Sequence, residues 1–187
     1  IIPVILTPDE KVMQDSTPIL QHFEETFPEK PTVPEDNRLA FIMWILEEIS
    51  DEYMPRIHMH TRWGNDQNYR TMGHRLARGF TYGNASMTAQ SMGPVISKRQ
   101  EGFNKHLGLS DESIKPNMDQ QILDLLAILE EHFTHHQFLL GFKPSMADFA
   151  LFGPLRVHLF NDPQSNEIME VHGPRTCRWM DTISELG

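Results

Sequence analysis

The chain has 187 residues, 39% of them hydrophobic and 22% charged, which is ordinary globular composition and enough length to bury a core. A formal net charge of −10 argues against a general nucleic-acid or acidic-membrane partner, because either would be repelled. The single cysteine, Cys177, excludes an intramolecular disulfide and a Cys-based metal cluster, and it fits a reducing, cytoplasmic setting. No apolar run approaches the roughly 20 residues that cross a bilayer, and no secretory signal pattern opens the chain.

In chain order, Ile1 to Leu6 is a short β-rich apolar run and Thr7-Pro8-Asp9-Glu10 reads as a turn. Lys11 to Gln14 then pairs back as a second strand. Asp15-Ser16-Thr17-Pro18 predicts a helix start, a capping hydroxyl followed by Pro in the first turn, with the helix passing Ile19, Leu20 and Phe23 to end near Phe27-Pro28. Three prolines between positions 28 and 34 mark a linker, since Pro continues neither ladder nor helix. Beyond it the pattern is helical. Asp36 or Asn37 caps a helix with Leu39, Ile42, Ile45 or Leu46, Ile49 and Tyr53 on one face. Residues 65–106 carry five glycines and predict one or two interrupted helices. Met118, Ile122, Leu125, Leu129 and Phe133 form a clean stripe, and two last helices run from about Ser145 to Phe160 and from Pro174 to Ser184. The division is residues 1–28, a linker at 29–36, and an all-helical domain at 37–187.

The sharpest local signal is Gly141-Phe142-Lys143-Pro144-Ser145-Met146-Ala147-Asp148-Phe149. Ser145 and Asp148 have the spacing of a capping box, in which hydroxyl and carboxylate each satisfy a backbone N–H that the helix leaves free. The acid also sits at the positive end of the helix dipole. This pair is structural, not catalytic.

That segment resembles the capping-box segment of the glutathione transferase C-terminal domain. "IIPVIL" followed by "KVMQDSTPIL" resembles the strand-turn-strand-helix of the same superfamily's glutathione-binding half, and Pro174 to Trp179 resembles its late helix. The resemblance implies a thioredoxin-like α/β piece, incomplete at its start, followed by an all-α bundle. It implies Pro3 as a cis-proline, with the Ile2 main chain pairing to the cysteinyl part of glutathione. Ser16 would clamp the γ-glutamyl carboxylate at a helix N-terminus, with Asp15 near the ammonium. The Tyr, Ser or Cys that stabilises the thiolate would lie upstream of Ile1, so no catalytic residue is assigned. A homodimer and attack of glutathione thiolate on a small hydrophobic or anionic electrophile are implied too. A non-catalytic binding or scaffold protein on the same fold is the rival.

Tyr53 and Trp63, near Trp44, Met54 and Met59, are candidates for a co-substrate wall, against ordinary core packing. Arg56 to Arg78 are read as solvated surface by default. The ten histidines, His58, His60, His132 and His136 among them, are read as surface or loop residues, and no metal is expected because H-E-x-x-H is missing.

Overall fold

The computed structural model describes residues 3–82 and 87–186, with no side chain described from 87 to 90. Strands β1 (Val4–Leu6) and β2 (Val12–Gln14) pair antiparallel with Ile5 opposite Met13. The turn closes through Thr7, whose N–H donates to the Lys11 carbonyl at 3.0 Å, and Glu10 takes a positive φ of 62°. Helix α1 (Ser16–Thr26) follows at once. Its cap is Asp15, and Ser16, expected to supply the capping hydroxyl, is the first helical residue.

The proline stretch is tied on both sides. Glu24 accepts from the N–H groups of Thr32 and Val33, and the Thr32 carbonyl accepts from Met146 N–H at 3.1 Å. Helix α2 (Asn37–Glu48) starts at Asp36, whose carboxylate accepts from the N–H groups of Arg38 and Leu39. It runs through a π-helical turn (Ile49–Tyr53) into α3 (Met54–Gly64). Met43, Glu47 and Ser50 face inward, so the apolar stripe read from Leu39 to Tyr53 is the exposed face.

Helices α4 (Asp66–Phe80) and α5 (Met87–His106) fill the region of weak periodicity. Glycine sets their separation. A Cβ on Gly73 would stand 2.1 Å from Ser97 Oγ and 2.7 Å from the Gly93 carbonyl, so the two backbones meet where neither residue carries a side chain. Helix α6 (Lys115–His135) carries the stripe with Leu126 in the buried set, while Leu125 and Phe133 are partly buried. It forms the main core with Met54, Ile57, Leu155, Leu159, Met180 and neighbours.

Helix α7 (Met146–Phe152) opens on the predicted capping box. Asp148, fully buried, accepts from Ser145 N–H and Oγ at 2.8 Å, from Leu139 N–H at 2.9 Å and from Trp179 Nε1 at 3.0 Å. One carboxylate therefore starts a helix, pins the loop before it and anchors α9 (Pro174–Ser184). The helix expected to reach Phe160 instead changes to a π-helical segment (Gly153–Leu159). A helix that periodicity missed, α8 (Pro163–His172), follows it. Among the described residues no helix is long and apolar enough to cross a membrane.

Candidate functional site

The hairpin and α1 meet the helical part at a cleft of about 350 Å³. Pro3 and Ser16 line one side, and Ser50, Asp51, His58, Phe149 and His158 line the other. Thr17 fixes the junction, since its hydroxyl donates to Glu47, a carboxylate only 5% exposed on α2. The order Asp15-Ser16-Thr17-Pro18 thus does two jobs: Thr17 docks the helix, and Ser16 turns to the cleft.

Asp15 holds φ 79° and ψ 135°, outside the regions open to ordinary L-residues. Such a conformation costs on the order of 1–3 kcal/mol and persists where the surroundings impose it, often beside a ligand. Its carboxylate makes no cap hydrogen bond. The first N–H groups of a helix lack intrahelical acceptors, so the Ser16 end of α1 presents donors at a positive dipole end. Opposite, burial pushes the Asp51 carboxyl up, and the neighbouring carboxylates of Asp15 and Glu52 push it further. Hydrogen-bond donors for an anion and carboxylates for an ammonium thus stand together. No Lys or Arg lines this cleft among the described residues.

The floor is a histidine pair the sequence did not reveal. His58 of α3 and His158 of the second π-helical segment stack with centroids 3.9 Å apart. The Nδ1 atoms of both are buried without a hydrogen-bond partner among the described residues. Burial is the main reason their pKa values fall, His58 to about 4 and His158 to about 3, with the Arg62 guanidinium adding to both. Both rings are therefore neutral near pH 7 and act as a weakly polar aromatic surface. Below them Arg62, expected at the surface, is buried and bidentate to Asp162, both bonds 2.8 Å. Asp162 stands at the N-cap of the helix that starts at Pro163, but its carboxylate makes no cap hydrogen bond and is used by Arg62 instead.

The other named residues lie elsewhere. Ile2 falls outside the described residues, and with it the Ile2–Pro3 bond. The Tyr53 hydroxyl donates to Gln121 on α6, away from the cleft. Trp63 is buried edge-on to Tyr69 and lines a different cavity, of about 330 Å³. His60, expected at the surface, is buried on that cavity's wall as well. The Cys177 thiol is pushed up to about 11, chiefly by burial, and is inert at neutral pH.

The family described as "Glutathione S-transferase, C-terminal domain" matches residues 88–186, more than half of the chain. Among solved structures, the chain is similar to the beta-etherase LigF from Sphingobium sp. strain SYK-6. The TM-score is 0.59 at 20% identity, over 95% of this chain and 71% of that one, a likeness of fold. No curated protein matches the chain.

Proposed function

The chain belongs to the glutathione S-transferase family, and from that premise we propose that it binds glutathione in the cleft between α1 and α3 and passes its thiolate to a small hydrophobic electrophile. The observation that carries the reading is the shared cleft of Pro3 and Ser16 beside the strained Asp15. The γ-glutamyl carboxylate would take the Ser16 hydroxyl and the free N–H groups of α1, and the ammonium would lie between Asp15 and Asp51. The Ile2 main chain would hold the cysteinyl part, as a strand edge holds a peptide. Residues 1–28 then supply the glutathione side and 37–187 the co-substrate side, joined at 29–36. The co-substrate wall would be Phe149, Pro55 and the neutral His58–His158 face, with the two rings adding aromatic surface and no charge. The structural neighbour is named as a beta-etherase, and displacement of an alkoxide from an ether by the glutathione thiolate is one form of the proposed reaction.

Turnover decides between this reading and a scaffold that keeps the fold without the chemistry. With glutathione and a chromogenic chloronitrobenzene, the full-length protein should form the thioether at a rate proportional to enzyme. A Phe149→Ala variant should raise the electrophile KM several-fold, as expected for the loss of about 1 kcal/mol or more of apolar contact. Binding of glutathione without any conjugation or ether cleavage would favour the scaffold.

A further inference from the structure

We propose that the second cavity, walled by α3, α4, α5 and the start of α6, is a binding site for a small organic ammonium ion, separate from the glutathione cleft. It measures about 330 Å³, far more than the roughly 30 Å³ share of one water. Two of its lining residues are almost wholly buried and incompletely satisfied, His60 at 3% exposure and Asn104 at 2%. Asn104 Nδ2 donates to the Met59 carbonyl at 2.9 Å, and its Oδ1 has no partner among the described residues. His60 Nε2 stands 3.3 Å from the Asp119 carboxylate, and its Nδ1 also has no partner among the described residues. In the tautomer with its proton on Nε2, toward that carboxylate, Nδ1 is an acceptor. Asn104 Oδ1 is an acceptor whatever the state of the ring, and a buried acceptor left unmet is unfavourable.

Local sequence keeps this floor open. Gly64 ends α3 over the His60 ring, and a Cβ there would lie 3.8 Å from Nδ1. The rim settles the sign of the charge. Lys105 is paired with Glu101 at 2.8 Å and Lys115 with Glu112 at 3.5 Å. Asp66 and Asp111 line the same cavity with no ion-pair partner among the described residues. The buried Asn104 acceptor, two carboxylates outside any ion pair among the described residues and the rings of Trp63 and Tyr69 suit a primary ammonium on an apolar or aromatic body.

Calorimetric titration of the full-length protein with benzylammonium, benzyl alcohol and benzoate tests this. One benzylammonium should bind per chain, at least about tenfold tighter than the alcohol or benzoate. Saturating glutathione should leave that affinity unchanged, so the result stands apart from the glutathione reading. Asn104→Leu should weaken it at least about tenfold. Gly64→Val should do the same by covering Nδ1, and its helical position and ordinary contact distance keep the fold intact if Asn104→Leu does not. Equal binding of all three probes, preference for benzoate, or no saturable heat (orphan atoms bridged by water only) would overturn it.

Discussion

Single side chains carry the less expected chemistry, and His58 with His158 is the clearest case. Their folded pKa values, about 4 and about 3, lie below the 6.5 of a free imidazole. Between pH 6.5 and those values the unfolded chain binds protons that the folded chain refuses, so stability falls with falling pH across that window and is fully present above it. At pH 5 the loss is about 2 kcal/mol for each ring. Urea midpoints measured from pH 7.5 to 5 should therefore drop, and the slope should be roughly halved in His58→Phe, which keeps an aromatic ring and removes one titration. Identical slopes would contradict the neutral pair. Neither residue announces its burial in sequence, because what buries His58 is a segment about a hundred residues further on. The same holds for Arg62, read from sequence as surface and paired with Asp162 100 residues away.

Helices with local signals were legible, and those whose form depends on distant contacts were not. The Asp36 cap, the Ser145–Asp148 box and the Pro174 start each use residues within one turn, and the hairpin before α1 closes on its own turn residues. The start of α8 was missed because the apolar spacing there is weak, and the change to a π-helical ladder at Gly153 leaves no mark in that spacing either. The stripe on α2 was legible as a stripe, but its facing was not. Leu39, Ile42, Ile45 and the following Ile49 and Tyr53 are each 41–44% exposed, while Met43 and Glu47 turn inward. Exposed apolar surface of this continuity fits a partner face, and homodimerisation through α2 is our proposal for it. Ile42→Glu with Ile45→Lys should convert a dimer to a monomer in light scattering without lowering the thermal midpoint of the monomer. A protein that is monomeric before mutation, or a dimer that survives both charges, would contradict that interface.

At the scale of the whole molecule, the proline stretch is a clamp as well as a linker, because Glu24 and the α7 end hold it from either side. Thr17 on Glu47 completes the docking of the hairpin and α1 against the helices. The sequence motifs pointed to Pro3 and Ser16, and the structure brings both into one cleft. The far wall of that cleft comes from positions 50 to 58 and 149 to 158, and no local pattern could join those to residue 16. The central claim is that the N-terminus of α1 receives glutathione through Ser16. Calorimetric titration of the full-length protein with glutathione, beside a Ser16→Ala variant of equal thermal stability, tests it most directly. The account predicts saturable binding of one glutathione per chain, weakened about ten- to a hundredfold by loss of a hydrogen bond to a charged group. No binding by the unaltered protein, or equal affinity in the variant, would contradict it.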